Sequence, residues 1–209
     1  MDRLYVKICG ITNAGDAEAA VAAGADALGF VFARQSPRYL DPESAKRIIA
    51  ALPAFILPVG VFVNEESKRV RDIMDSCGLA IAQLHGDEDA SYCEALGRPV
   101  IKAIRLRGPA DLLPLAEYKG RARVRGFIVD VYAEDRYGGT GRTADWTLAA
   151  EASKAASIIL AGGLTPENVA QAITAVHPYG VDVSSGVESA PGRKDRAKMS
   201  AFVRAAKLV

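Results

Sequence analysis

The chain alternates short apolar runs, rich in β-branched residues, with alanine-rich amphipathic stretches along its whole length. The apolar runs have the length of buried strands, and the stretches between them carry the period expected of helices. The pattern predicts strands at residues 4–9, 27–32, 57–63, 81–85, 100–106, 126–131, 157–161 and 181–184. It predicts helices at residues 14–23, 42–52, 65–77, 88–96, 110–118, 145–155, 166–176 and 193–207.

Start and stop signals support several of these helices. Asp41-Pro42-Glu43 and Thr165-Pro166-Glu167 each combine a capping side chain, a proline at the first helical position and an acid near the positive helix end. Asn64-Glu65-Glu66 indicates a further helix start. Gly24 and Gly78 stand where a residue in the left-handed conformation would end a helix.

Strands that alternate with helices imply a parallel sheet covered by helices. Eight units in 209 residues give about 26 residues per unit, near the lower size limit of a (β/α)8 barrel. The alternative is an open doubly wound sheet, which usually has fewer units and a glycine fingerprint after its first strand. Here that strand ends in Cys9-Gly10-Ile11-Thr12 instead. The prediction is therefore an α/β fold, a single-domain (β/α)8 TIM barrel over residues 1–209.

Charge and hydropathy narrow the range of partners. The 26 basic and 25 acidic residues leave a formal net charge of +1, so no overall field indicates nucleic acid or a membrane surface. The amino terminus lacks the pattern of a signal peptide, and the longest apolar run, residues 50–63, is too short to span a bilayer. We expect a cytoplasmic protein with a small-molecule substrate, either a monomer or a homodimer, that holds any anionic ligand through local groups.

The three cysteines lack the spacing of a metal site, and we predict neither a metal nor a cofactor. Cys77 and Cys93 fall in helical segments, where a small buried hydrophobic role is expected. A reducing compartment suits all three thiols. Cys9 differs from the other two because it ends the first predicted strand.

Active sites of (β/α)8 barrels lie at the carboxyl ends of the strands. Polar residues gather at these ends, and a further arginine follows strand two: Cys9, Gln83, His85, Arg105, Asp130, Asp182, Ser184, Ser185 and Arg38. Several of them also have a purely structural interpretation. Asp130 could cap a loop or pair with Arg136 or Arg142, Asp182 could hold a neighbouring loop, His85 could be structural, and Arg38 could be a solvated loop charge.

Two glycine-containing turns predict a phosphate site. One holds Gly162 and Gly163 after strand seven, and the other holds Ser184 and Ser185 after strand eight. Glycines let backbone N–H groups approach an anion, and these two loops are the usual phosphate-binding place in a barrel. The alternative is that they only form tight turns. A third glycine-rich segment, residues 137–141, is interpreted either as a surface loop or as a loop that closes near Asp130.

Motifs in order along nearly the whole chain resemble those of the phosphoribosylanthranilate isomerase family. They are Lys7-Ile8-Cys9-Gly10-Ile11-Thr12, Gly29-Phe30-Val31-Phe32, Ser36-Pro37-Arg38, Gln83-Leu84-His85-Gly86, Asp130 with Gly138-Gly139-Thr140-Gly141, Ala161-Gly162-Gly163-Leu164 and Asp182-Val183-Ser184-Ser185-Gly186-Val187-Glu188. The first motif combined with the last is specific, whereas other phosphate-binding barrels share the glycine turns. One departure is Ala144, where the family often has an aromatic residue before the Asp-Trp pair; it affects only local loop packing.

The resemblance implies an Amadori rearrangement in tryptophan biosynthesis. It converts N-(5′-phosphoribosyl)anthranilate to 1-(o-carboxyphenylamino)-1-deoxyribulose 5-phosphate, with Asp130 as general acid and Cys9 as general base. The acid must keep a proton near neutrality although an ordinary aspartic acid has a pKa of about 3.9, so burial or a nearby anion must raise that pKa. Cysteine ordinarily has a pKa of about 8.5, so Cys9 would benefit from a positive potential, for which Lys7 is a candidate source.

The remaining candidates suit the two anionic ends of that substrate. The phosphate is expected at Gly162, Gly163, Ser184 and Ser185, and the anthranilate carboxylate at the planar fork of Arg38. His85 and Asp182 are expected to position the sugar. Three alternatives remain: indole-glycerol-phosphate synthase, which needs a catalytic lysine and glutamates at strand ends, thiamine-phosphate synthase, and a barrel that only binds a phosphorylated metabolite.

Overall fold

The computed structural model describes residues 3–131 and 146–209. Eight parallel strands follow one another around a closed barrel, and the eighth pairs with the first. They are β1 (Tyr5–Cys9), β2 (Ala27–Val31), β3 (Leu57–Phe62), β4 (Ile81–Leu84), β5 (Val100–Leu106), β6 (Val124–Val131), β7 (Ile158–Ala161) and β8 (Gly180–Val183). The closed barrel confirms the (β/α)8 prediction and excludes the open doubly wound sheet.

A helix follows each strand and packs on the outside of the barrel. The helices are α1 (Ala14–Ala23), α2 (Pro42–Ala50), α3 (Ser67–Cys77), α4 (Ala90–Ala95), α5 (Leu113–Tyr118), α6 (Thr147–Ala155), α7 (Val169–Val176) and α8 (Arg196–Lys207). The side chain of Asp41 accepts a hydrogen bond from the Ser44 N–H and caps α2 as predicted. Gly24 and Gly78 end α1 and α3 in the left-handed conformation, also as predicted.

Six helices, α3 to α8, begin two or three residues later than the sequence pattern predicts, and hydrogen bonds account for three of these differences. Asn64 lies at φ 50° before α3 and binds the loop after β4 instead of capping the helix. Asn168 accepts a hydrogen bond from the Thr165 N–H, so residues 165–168 form a turn before α7. Asp195 caps α8, because residues 193–194 form a short strand β10 (Arg193–Lys194) paired with β9 (Glu188–Ala190). In each case hydrogen bonds made outside the helix hold the residues that would otherwise form its first turn.

Buried side chains form two kinds of apolar layer. A large cluster fills the space between the sheet and the helices, with Phe30, Phe62 and Phe202 among its largest fully buried members. Smaller clusters fill the barrel interior: Ile101, Ala103, Ile128 and Ala161 in one, and Cys9, Val31 and Val61 in the other. Because side chains alternate across a strand, the interior clusters identify which polar residues point into the barrel.

The three cysteines are all free and buried. Cys77 and Cys93 belong to the apolar layer under the helices, as predicted, whereas Cys9 lies in the barrel interior. Within the two described segments, no helix is both long and apolar enough to cross a membrane.

Candidate active site

Strand alternation places the predicted polar residues at the carboxyl end of the barrel interior, called here the barrel mouth. Lys7 shares the face of Cys9 on β1, and Asp130 shares the face of Ile128 on β6. Gln83 and His85 likewise share the face of Ile81, which packs against the interior cluster. The strand pattern therefore explains why residues far apart in the sequence face one another.

Lys7 and Asp182 form a buried ion pair beside Cys9. They are register partners on β1 and β8, and Lys7 Nζ donates a hydrogen bond to Asp182 Oδ1 at 2.9 Å. Cys9 Sγ and Lys7 Cε both pack closely on the Cα atom of Gly29, where a side chain would collide with the sulfur. Burial works to lower the pKa of Lys7, but Asp182 and Cys9 outweigh it and raise that pKa, so Lys7 carries its charge.

The thiol of Cys9 is surrounded by charge but shielded from solvent. Burial raises the pKa of Cys9 above its ordinary value, and Lys7 offsets part of this rise, while Asp182 adds to it. Lys194 also lowers the pKa of Cys9 through its charge. The positive potential expected at Cys9 is present, but it does not fully compensate for burial.

The pKa of Asp130 is raised, which is the direction that a general acid would need. Burial raises the pKa of its carboxyl group, the negative charge of Asp182 raises it further, and His85 and Arg105 oppose the rise. His85 Nε2 lies 3.9 Å from Asp130 Oδ2, too far for a direct hydrogen bond. Asp182 influences the pKa values of Cys9, His85 and Asp130 alike, so these groups surround one shared space.

Gln83 orients the ring of His85. Its Nε2 atom lies 3.0 Å from His85 Nδ1. With this amide nitrogen as donor, Nδ1 accepts, and the neutral ring carries its proton on Nε2, the nitrogen nearer to Asp130. Burial lowers the pKa of His85, which favours the neutral ring.

The two predicted phosphate turns lie against each other. Gly186, in the short 3-10 helix that follows Ser184, packs so closely on the Leu164 carbonyl that no Cβ would fit there. Gly162 has φ 91°, and a Cβ on it would lie 2.5 Å from Asp130 Oδ1. The turn after β7 therefore forms part of the phosphate candidate and also packs on the candidate acid.

Arg38 is less available than the sequence suggests. Its Nε and Nη2 atoms donate to the two carboxylate oxygens of Glu188, at 2.8 and 2.7 Å. Glu188 also binds Lys194 Nζ at 2.8 Å, and Lys194 Nζ reaches the Ser184 carbonyl at 3.2 Å. One edge of the guanidinium is thus occupied by Glu188, and no hydrogen bond from the described residues involves Nη1 on the other edge.

Some predicted features fall outside the described residues. These are the glycine-rich segment 137–141 and the proposed partners of Asp130, Arg136 and Arg142.

Comparisons with known proteins agree with the motifs. The family model described as N-(5′-phosphoribosyl)anthranilate (PRA) isomerase matches residues 6–205. A relative named N-(5′-phosphoribosyl)anthranilate isomerase from Pelobacter propionicus is 54% identical over 204 residues, which cover 98% of this chain and 96% of that protein. The chain belongs to the PRA isomerase family.

Solved structures extend the agreement to three dimensions. A PRA isomerase in complex with reduced 1-(o-carboxyphenylamino)-1-deoxyribulose 5-phosphate has a TM-score of 0.88 at 40% identity, covering 99% of this chain and 100% of that chain. A structure described as mutually generated monomers of the dimeric enzyme from Thermotoga maritima has a TM-score of 0.87 at 39% identity, with the same coverage. The resemblance inferred from the motifs is confirmed, and so is the prediction of an isomerase.

Sequence reasoning does not find every charged residue around the PRA isomerase site. The helical pattern includes Lys194, but this residue lies in β10 with its side chain fully buried against Glu188. Glu188 stands out in the sequence only as part of a motif, although it binds both Arg38 and Lys194. The strand β10 is two residues long, far below what periodicity detects.

Proposed function

We propose that this chain catalyses the Amadori rearrangement of N-(5′-phosphoribosyl)anthranilate to 1-(o-carboxyphenylamino)-1-deoxyribulose 5-phosphate in tryptophan biosynthesis. The observation that carries the assignment of roles is a pair of groups at one barrel mouth. One is a thiol beside a charged lysine, and the other is a carboxyl group whose burial raises its pKa. Membership of the isomerase family supplies the reaction class.

Asp130 acts as the general acid in the first step. Its proton passes to the ring oxygen O4′ of the ribose while the C1′–O4′ bond breaks, and the nitrogen lone pair forms a C1′ iminium ion. A carboxyl group with a raised pKa holds this proton closer to neutrality than an ordinary aspartic acid does. His85 lies beside Asp130 and would orient the sugar hydroxyl that is released.

Cys9 acts as the general base in the second step. Its thiolate removes the proton on C2′, and the electron pair of that bond forms the C1′=C2′ double bond of an enolamine while the iminium nitrogen is neutralised. The enolamine then takes a proton at C1′ and loses one from the C2′ hydroxyl, which gives the ketone. Lys7 favours the thiolate by its charge, so we assign it the role of tuning the pKa of Cys9.

The two anionic ends of the substrate have separate candidate sites. Gly162, Gly163, Ser184 and Ser185 form the candidate phosphate site, since their turns adjoin and offer backbone N–H groups to an anion. The edge of the Arg38 guanidinium that faces away from Glu188 is the candidate site for the anthranilate carboxylate. Asp182 would orient the sugar while it holds Lys7.

The setting of the enzyme completes the proposal. We propose one catalytic domain over residues 1–209, acting in the cytoplasm, where its buried free thiols stay reduced. The assembly would be a monomer or a homodimer, the latter state being named for the Thermotoga maritima relative. Light scattering on the purified chain distinguishes the two.

The decisive experiment follows the loss of anthranilate fluorescence when the substrate turns over, with no metal or cofactor added. Cys9→Ser and Asp130→Asn should each lower kcat by about 10²–10⁴ while the fold, read by circular dichroism, is retained. A chain that only binds the metabolite would show no turnover at all. Normal turnover by both variants would remove the acid–base assignment while leaving the isomerase activity intact.

A further inference from the structure

A further buried ion pair lies just outside the barrel mouth and has no part in the mechanism described so far. Lys102 on β5 binds Glu88, in the loop after β4, through Nζ and Oε2 at 2.9 Å, and their side chains are only 3% and 2% exposed. Lys102 points out of the barrel, because its neighbours Ile101 and Ala103 both pack in the interior cluster. The pair therefore cannot touch a substrate in the barrel mouth.

The hydrogen bonds of this pair converge on the backbone around His85. Lys102 Nζ donates to the carbonyls of Leu84 and Gly86, at 3.3 and 2.6 Å, which are the residues on either side of His85. Glu88 Oε2 accepts a hydrogen bond from the Gly86 N–H at 3.0 Å. Among the described residues, the ammonium thus binds only Glu88 and the carbonyls of the two residues that flank the histidine.

The same pair also ties this loop to the end of the preceding strand. Glu88 Oε1 accepts from the Asn64 N–H at 2.8 Å, and the Asn64 side chain accepts from the Asp87 N–H at 2.7 Å. Gly86 packs so tightly on Asn64 that no Cβ would fit. The loop that carries His85 is therefore held from β3 and from β5 at once.

A buried ion pair is a weak source of stability, since desolvation of the two charges offsets much of their attraction. Its hydrogen bonds to the loop that carries His85 point to another role. We propose that Lys102 is a positioning residue for the isomerase reaction, which together with Glu88 fixes the backbone on both sides of His85 and so holds the imidazole beside Asp130. The inference rests on the proposed function for its effect on catalysis, but not for its effect on the histidine.

The histidine itself offers a direct test, because the chain contains only two histidines. In protein labelled with ¹⁵N-histidine, the Lys102→Met and Glu88→Gln variants should each change the ring shifts of His85 and move its pKa toward the ordinary value of about 6.5. The charged groups that act on the ring, Asp130, Arg105, Asp182 and Lys7, are unchanged in both variants. The signals of His177, beyond α7, should stay in place. Unaltered His85 signals in both variants would overturn the proposal.

Kinetics test whether the effect reaches the reaction. Lys102→Met should lower kcat by about 10- to 100-fold, as expected for a displaced catalytic group, with a smaller change in KM. In a His85→Asn background the same substitution should change kcat less than about two-fold, because its effect passes through the histidine. An equal loss in both backgrounds would refute positioning through His85.

Two further variants separate positioning from general destabilisation. The double variant Lys102→Met/Glu88→Gln leaves no unpaired buried charge and should fold, yet it should retain the kinetic and spectroscopic defects. Met74→Ala in α3 truncates a buried core side chain and should lower the unfolding midpoint without changing kcat. If His85→Asn itself has a normal kcat, the role of His85 in the reaction fails, while the ¹⁵N spectra still decide whether Lys102 positions the ring.

Discussion

The thiol of Cys9 is buried at the barrel mouth and the carboxyl group of Asp130 is partly buried there, but burial affects their proposed roles in opposite ways. Burial raises both pKa values. A general acid gains from this shift, because it must arrive with its proton. A general base loses by it, because it must give the proton up first. The same low-dielectric setting therefore favours the proposed acid on β6 and disfavours the proposed base on β1.

The surroundings of the two groups differ accordingly. Cys9 lies among three cations, Lys7, Lys194 and Arg38, each of which interacts electrostatically with the thiol. Among the described residues no cation donates a hydrogen bond to Asp130, and the titratable neighbour His85, 3.9 Å away, has a pKa lowered by burial. We infer that the proposed base depends on nearby positive charge, whereas the proposed acid depends mainly on the geometry of the residues packed around it.

Of the substitutions that test this comparison, the largest effect on kcat is expected from one that adds an atom beside Asp130. In Gly162→Ala the new Cβ would lie 2.5 Å from Asp130 Oδ1 and 2.7 Å from the Val131 carbonyl, and φ 91° would strain an alanine. We expect kcat to fall about 100-fold, since a displacement near 1 Å can cost that much. Stopped-flow fluorescence under saturating substrate measures it.

Gly120→Ala is the matched control for that substitution. Gly120 has φ 83°, but no atom lies within 4 Å of the position that a Cβ would take, so the variant carries the backbone strain without the collision. Both variants should lose stability by about 1–2 kcal/mol, and only Gly162→Ala should lose activity. Equal kcat values for the two variants would mean that Asp130 does not need its present position.

A smaller effect is expected from removing charge on the Cys9 side. Lys7→Met withdraws the cation that offsets burial, so the pKa of Cys9 should rise further. With a thiolate base of higher pKa than the acid, the alkaline limb of the kcat/KM profile reports Cys9 and should move to higher pH. The plateau should fall about ten-fold for each unit of pKa.

Lys207→Met provides the comparison for this second change. Lys207 also pairs with an aspartate, Asp26, but it lies in the last turn of α8. Its removal should leave both limbs of the profile in place. An alkaline limb that did not move in Lys7→Met would show that Lys7 serves only to neutralise Asp182.

The geometry of the site and its charge compensation also differ in how far they could be predicted from the sequence. Strand alternation is a local property, so the sequence pattern is enough to locate Cys9, His85, Asp130 and Asp182 at strand ends. The closed barrel follows from counting units, and the glycine turns are recognised from two short motifs. These features depend on residues near one another in the chain.

Charge compensation depends on contacts between distant segments, which no local pattern contains. Arg38 and Glu188 are 150 positions apart, and Lys7 and Asp182 are 175 apart. Lys194 falls inside a predicted helix, because a two-residue strand leaves no period to detect. The sequence could therefore identify the groups proposed to react, but not the network that adjusts them.

The smallest effect is expected at Glu188, whose charge holds the Arg38 side chain in position. In Glu188→Gln the side chain keeps its size but no longer holds the Arg38 guanidinium by two charge-assisted hydrogen bonds. The loss of preorganisation should raise KM about five-fold, equivalent to about 1 kcal/mol, with less change in kcat, because Arg38 is assigned to binding and not to proton transfer. Glu117→Gln, on the exposed surface of α5, should leave both constants unchanged. A fall in kcat without a rise in KM would instead indicate that Glu188 acts on the pKa of Cys9. The group of charges that adjusts this thiol would then extend from β1 to β9.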